Sequence, residues 1–272
     1  MTSKYRNLEI TIKKKLSGDF LGSFQSAFKG LGNEFDSLRE YIPGDSIKSI
    51  DWKSTAKLGD VHVKNYEEEK DLKVLFFIND SVTLNFGSED KSKKETLEAI
   101  FYLLAQSSIS TGHSVGAFIG KTFIDFKKSE DNIIRILNSL SENKTNPESV
   151  DSKEIKKYNI KNSLIFVLTD SLEIDTDQLK YLGISNEIVV INIFDYFENN
   201  LTEDSFESSF SNKIGALLFG KSNKLTLYKN TRTQKIEALK KSLKKLKIEY
   251  LKLDNRDNIF IQFYKFFNSY NN

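Results

Sequence analysis

The chain has 272 residues, no cysteine and two histidines, His62 and His113. This excludes disulfides, thiolate metal sites and cysteine nucleophiles, and leaves too few imidazoles for a multi-histidine centre. With 40 basic and 38 acidic residues the net charge is +2, so overall electrostatics make no case for a nucleic-acid partner, and a 39% hydrophobic content is too apolar for disorder.

Residues 1–70 hold short mixed segments and turn signals, among them Pro43-Gly44-Asp45. Met1–Lys15 has no continuous apolar core of the kind a targeting signal needs. Val74–Ile78 is a short apolar run, the mark of a strand buried on both faces. Lys93–Thr111 predicts a helix with Leu97, Phe101, Leu104 and Ser108 on one face. Ala99–Gly120 lacks Asp, Glu, Lys and Arg over a length that could cross a bilayer. Its centre, Gln106–Ser114, is too polar for lipid, so a helix ending at Gly112 is the better reading. Val115–Ile119 predicts a strand with Thr122–Phe126 as its hairpin partner, Asn132–Leu140 a helix and Ser141–Ser149 a polar loop. Leu164–Leu168 and Glu187–Phe194 predict two more strands, and Gly215–Tyr228 a hairpin. Arg232–Lys247 predicts a helix, Ile248–Leu253 a strand and Asp257–Phe267 an aromatic-rich helix. Strands alternating with helices imply crossover units and a mostly parallel sheet. Ligands in such sheets sit beyond the carboxyl ends of the strands, which points to residues 79–88 and 169–171.

Two motif matches fail on context. Gly215–Ser222 has the spacing of a phosphate-binding loop, but its interior Ala-Leu-Leu-Phe prefers burial and no helical pattern follows. Gly112-His113-Ser114-Val115-Gly116 matches a nucleophile elbow, but runs from helix into strand and has no later histidine. Gly30–Phe35 lacks the third glycine of a dinucleotide fingerprint.

One constellation survives. Ser81 and Thr83 follow the Val74–Ile78 strand, and Asp170 ends the Leu164–Leu168 strand. If those strands are neighbours, one carboxylate and two hydroxyls converge at the sheet edge. An oxygen-only set of that kind suits Mg²⁺ or Mn²⁺, whereas the plainer reading is polar residues capping the next helix.

Around the only tryptophan, Trp52, both charge signs crowd together, in Arg39, Glu40, Asp45, Asp51, Lys53 and Lys57. As a partner-binding surface its carriers would be Arg39, Asp45, Asp51 and Trp52. The favoured expectation is that Trp52 packs this segment onto the sheet, because large aromatics are usually well buried. The lysines from Lys235 to Lys247 form a basic face that is either solvated or a peripheral membrane contact.

The stretch from Gly32 to Gly87 resembles the bacterial family DUF58, whose fold is similar to the von Willebrand factor A domain. The residues that carry the resemblance are Gly32–Asp45, Ile50-Asp51-Trp52-Lys53-Ser54-Thr55-Ala56-Lys57, Val63–Glu69 and the strand into Asn79. Looser similarity continues at Phe166–Asp170 and Val189–Asp195. The resemblance implies a six-stranded, mostly parallel sheet flanked by helices at residues 71–272, with residues 1–70 as a family-specific segment packed on it. It implies no enzymatic activity and a role as adaptor or cochaperone to a MoxR-type AAA+ ATPase.

At the family's metal-ion-dependent adhesion site, Asp-x-Ser-x-Ser, this chain has Asn79, Ser81 and Thr83. Asn for Asp removes a charge, so with Asp170 as the remaining carboxylate the site is expected to be degenerate, holding Mg²⁺ or Mn²⁺ weakly or not at all. The expected protein is a cytoplasmic, non-enzymatic binding module without a transmembrane segment. Alternatives are a metal-dependent hydrolase using Asp170 and the strand-end hydroxyls, and a scaffold with no ATPase partner.

Overall fold

The computed structural model describes residues 3–28, 35–66, 72–79, 81–85, 91–142, 157–200 and 224–270. In chain order the elements are α1 (Ser3–Lys15), α2 (Gly18–Ala27), β1 (Phe35–Glu40), α3 (Trp52–Leu58), β2 (His62–Tyr66), β3 (Lys73–Ile78), α4 (Lys93–Ser110), β4 (Ser114–Ile119), β5 (Thr122–Lys127), α5 (Glu130–Glu142), β6 (Ser163–Thr169), α6 (Thr176–Leu182), β7 (Glu187–Phe194), α7 (Tyr196–Asn200), α8 (Lys224–Lys245), β8 (Glu249–Asp254) and α9 (Ile259–Ser269). Short 3₁₀ turns lie at Ile47–Ser49 and Val82–Asn85.

Six strands form one sheet in the order β5-β4-β3-β6-β7-β8. β5 pairs antiparallel with β4, and the other pairings are parallel. The arrangement is the α/β class expected from the sequence, a mostly parallel six-stranded sheet flanked by helices. Its cause is visible in β3, β6 and β7, whose continuous apolar runs suit burial on both faces. Side chains alternate between two cores. Val74, Phe76 and Ile78 join the larger core with α1, α2, α4, α5 and α9, while Leu75 joins the smaller core with Leu179 and Leu182 of α6 and Leu239 and Leu243 of α8.

Three expectations are corrected by the fold. The first concerns α4, expected to gather Leu97, Phe101, Leu104 and Ser108 on one face: every residue from Thr96 to Ser108 except Ala99 is buried, on all sides of the helix. The reason is that α1, α2 and α5 pack over the side that would otherwise face solvent. A helix so enclosed needs no charged face. Its serines are satisfied internally, Ser107 and Ser108 donating to the Leu103 and Leu104 carbonyls at 2.7 Å each. That explains the uncharged run from Ala99 without any membrane, and no helix among the described residues is long and apolar enough to cross one.

The second correction concerns residues 224–228, expected in a strand but helical as the start of α8. A Leu-Thr-Leu alternation is too short to tell one period from the other. The phosphate-loop match at 215–222, the Gly30–Phe35 glycines and most of the loop at 141–149 lie outside the described residues.

Residues before the sheet separate into two parts. α1 and α2 supply core: Phe24 is fully buried and meets Phe28 and Phe267 edge-on, with ring centroids 5.3 Å apart in both pairs. β1 and β2 instead form their own two-stranded antiparallel sheet, with α3 between them. Trp52 stands at the first position of α3 and is 64% exposed, which corrects the expectation of a packed tryptophan. The aromatic layer over the sheet is filled by Phe20, Phe24 and Phe28, and α3 buries no residue.

Candidate functional site

The sheet order reverses at β3, with β4 on one side and β6 on the other. Crevices open at such points beyond the carboxyl ends of the strands. β3 and β6 are hydrogen-bonded neighbours, with Ile78 level with Leu168. The chain leaving β3 turns through the 3₁₀ segment, and the chain leaving β6 presents Asp170 beside it. Ser81 Oγ donates to Asp170 Oδ1 at 2.7 Å and Thr83 Oγ1 donates to Asp170 Oδ2 at 2.5 Å. The two hydroxyls lie 2.7 Å apart.

Asn79 is not part of this group. Its backbone N–H still bonds the Leu168 carbonyl at 3.1 Å, which keeps it in the pleat of β3. It therefore shares the parity of Leu75 and Phe77. It lines a crevice of about 110 Å³ with Phe77, Phe118, Val167 and Gln178. Among the described residues no hydrogen bond joins its side chain to Asp170. The structure brings Ser81, Thr83 and Asp170 together by hydrogen bonds and does not join the Asn79 side chain to them.

Three residues join the cluster without any warning in the sequence reading. Lys93 Nζ lies 2.9 Å from Asp170 Oδ2 and 2.9 Å from Glu198 Oε1. Glu198 Oε2 accepts from Arg232 Nη2 at 2.7 Å and from the Asp195 backbone N–H at 3.2 Å. Arg232 also lies over the Phe194 ring at 4.9 Å. The result is a chain of alternating charge, Asp170, Lys93, Glu198 and Arg232, drawn from four elements. The side chains of Lys93 and Asp170 are 3% and 1% exposed.

Local sequence explains how Lys93 arrives there. Ser92 caps α4, and a reciprocal capping box with Glu95 fixes the first turn. Lys93 is the first residue of that turn, where the helix dipole disfavours a cation. Two carboxylates compensate. Burial opposes the Lys93 ammonium, but Asp170 and Glu198 outweigh it and hold its pKa above the usual lysine value. Burial likewise opposes the Asp170 carboxylate, but hydrogen bonds from Thr83, Lys93 and Ser81 outweigh it and hold its pKa below the usual carboxylate value.

The donor set does not fit a divalent cation. The Asp170 oxygens are already bonded by Ser81, Thr83 and Lys93, the second carboxylate, Glu198, is taken up by Lys93 and Arg232, and the remaining donors are two hydroxyls. An ion drawn to Asp170 would also face the Lys93 ammonium. A double and a single positive charge about 4 Å apart repel by about 8 kcal/mol at an effective dielectric constant of about 20.

The candidate partner-binding residues divide just as clearly. Arg39 and Asp45 form a two-pronged ion pair, each prong 2.7 Å long. The Arg39 guanidinium, with the Ile42 backbone N–H, holds the Asp45 carboxyl down to about 2. This pair clamps the turn at Pro43-Gly44, where Gly44 takes a φ of 115°. Asp51 caps α3 by accepting from the Lys53 and Ser54 N–H groups. Arg39, Asp45 and Asp51 therefore hold the local backbone, and Trp52 is the one whose side chain is presented outward.

The model of the family described as "Protein of unknown function DUF58" matches residues 37–211. Curated relatives include the uncharacterized proteins Mb1516 of Mycobacterium bovis and Rv1480 of Mycobacterium tuberculosis, each 29% identical over 119 residues, or 44% of this chain. The match spans 38% of those relatives' length. Among solved structures, a D319A mutant of the PilB minor pilin from Streptococcus sanguinis aligns over 76% of this chain and 62% of its own, with a TM-score of 0.41 and 9% identity. An aerotolerance-related membrane protein from Bacteroides fragilis, carrying multiple mutations to serine, aligns over 72% of this chain and 98% of its own, with a TM-score of 0.41 and 12% identity.

Proposed function

We propose that this chain, which belongs to the DUF58 family, is a non-enzymatic protein-binding module, a cytoplasmic adaptor or cochaperone for a MoxR-type AAA+ ATPase. The observation that carries this reading is the run of exposed apolar side chains in residues 42–61. Ile42, Ile47, Trp52, Leu58 and Val61 are all exposed large hydrophobic residues in one short segment. Single exposed apolar side chains are ordinary, but a concentration of them marks an interaction surface. Tryptophan is among the residue types that dominate interface energetics. Exposed Lys48, Lys53 and Lys57 lie among them and suit a partner with acidic groups.

The same geometry argues against contact through the sheet edge. Asp170 and Lys93 are sealed from solvent and already paired, so neither is free to reach a partner. It also argues against a hydrolase built on Asp170, whose oxygens are engaged by Ser81, Thr83 and Lys93.

The test is affinity capture of the tagged full chain from its native extract, with ATP and Mg²⁺, followed by mass spectrometry. The expected result is an AAA+ ATPase enriched with wild type and lost with an Ile47→Ser, Trp52→Ala double variant. Absence of any AAA+ ATPase would overturn the adaptor reading. An ATPase retained in full by the variant would overturn the assignment of the contact to residues 42–61.

A further inference from the structure

We propose that Lys93 is the resident cation of the sheet edge: its ammonium takes the place a divalent ion would hold on the oxygen cluster of Ser81, Thr83, Asp170 and Glu198, and closes that edge to metal. The inference rests on the site's geometry and not on the adaptor reading, so a failed ATPase capture leaves it untouched.

Three observations carry it. First, the ammonium is held as a cation is held, between two carboxylates at 2.9 Å each, one of which also gathers both hydroxyls. Second, nothing local favours a lysine there. It is buried, and it stands at the dipole end of α4 that disfavours positive charge. A buried lysine at such a position needs compensating charge, and Asp170 and Glu198 are the compensation. Third, the charges balance as they stand. Two carboxylates, Asp170 and Glu198, face two cations, Lys93 and Arg232, with each cation bonded to Glu198. A divalent ion added to that set would leave it with an excess of positive charge in a buried place.

The converse follows. Removing the Lys93 side chain leaves one negative charge in excess, two carboxylates and two hydroxyls around the vacated volume. Carboxylate and hydroxyl oxygens without nitrogen or sulfur suit a hard divalent cation, Mg²⁺ or Mn²⁺. A single substitution therefore turns a closed edge into a metal site.

The experiment is a Mn²⁺ titration of the full chain, read by the loss of the free-ion electron paramagnetic resonance signal. Wild type is expected to bind no Mn²⁺ at this edge up to 1 mM, on the order of the weakest specific calcium sites. Lys93→Ser is expected to bind one Mn²⁺ at least tenfold more tightly than wild type. The Lys93→Ser, Asp170→Asn double variant is expected to lose that binding. Wild-type binding of one Mn²⁺ below that limit, lost in Asp170→Asn, would overturn the proposal. So would a folded Lys93→Ser chain that gains no site. Where Lys93→Ser does not fold, wild type alone decides the matter. Reductive methylation mapped by mass spectrometry should modify exposed Lys57 and spare Lys93 with or without 1 mM Mn²⁺. Methylation of Lys93 that appears only with Mn²⁺ would mean the ion displaces the ammonium, and would overturn the proposal.

Discussion

Replacing Lys93 with alanine should destabilise the chain far more than loss of a surface lysine. The side chains of Lys93 and Asp170 are almost wholly buried, so solvent screening does not discount the pair. Removing one partner of a buried ion pair costs about 3–5 kcal/mol, because the other charge is left uncompensated. Here the stranded carboxylates keep other partners. Asp170 keeps Ser81 and Thr83, and Glu198 keeps Arg232 at 2.7 Å. The loss should therefore sit near the lower limit, about 3 kcal/mol, or roughly 6–12 °C in melting temperature for a domain of this size. The assay is urea unfolding followed by far-ultraviolet circular dichroism at pH 7 with a chelator present, so that no metal can replace the ammonium. Trp52 fluorescence is a poor probe, since the residue is exposed. Adding Asp170→Asn to Lys93→Ala should cost no more than Lys93→Ala alone, because the orphaned charge goes with it. A loss below about 1 kcal/mol for Lys93→Ala would place the pair with ordinary surface interactions and refute the reasoning. A double variant as unstable as the two single losses added together would also refute it.

The other predictions concern pH, the exposed tryptophan and the aromatic core. Asp170 has a lowered folded pKa, so its stabilisation is present above the ordinary carboxylate value of about 3.9 and is lost as pH falls through the folded value. Lys93 has a raised one, so its contribution is complete below about 10.4 and is lost only as pH rises through the folded value. Urea midpoints should accordingly show no loss from this pair between pH 5 and 9 (roughly the span between those two limits), and Asp170→Asn should flatten the acid limb below about pH 4; an unchanged acid limb would contradict the assignment. Trp52→Ala should leave stability within about 0.5 kcal/mol of wild type by the same unfolding assay, and a larger loss would mean that the side chain packs after all. Phe24→Ala removes a fully buried ring that meets Phe28 and Phe267, and should cost about 3–5 kcal/mol; less than about 1 kcal/mol would show that α2 is dispensable to the core.

Local periodicity carried most of the sheet. The apolar runs at Val74–Ile78, Leu164–Leu168 and Glu187–Phe194 announce strands buried on both faces, and all three are central in the structure. The same local reasoning failed where the outcome depends on distant neighbours. The period of α4 suggests one buried face, but α1, α2 and α5 cover the rest. The size of Trp52 suggests burial, but three phenylalanines of α2 and its end fill the layer it would have joined. Residues 224–228 alternate for too few positions to separate strand from helix.

The candidate site divides along the same line. That Ser81 and Thr83 leave one buried strand and that Asp170 leaves another follow from sequence, because strand ends in a parallel sheet are set by where apolar runs stop, but that the two strands are neighbours, so that the ends meet, is decided by the sheet order. The capping box that starts α4 at Ser92 is equally local. Only the tertiary structure decided what faces Asp170. Lys93 and Glu198 are 105 positions apart, and Glu198 and Arg232 are 34 apart. No sequence period links residues on separate elements, and a lysine reads as solvated until two carboxylates are found beside it. Whether a charge is buried is a property of everything packed around it, and that is settled only when the chain has closed.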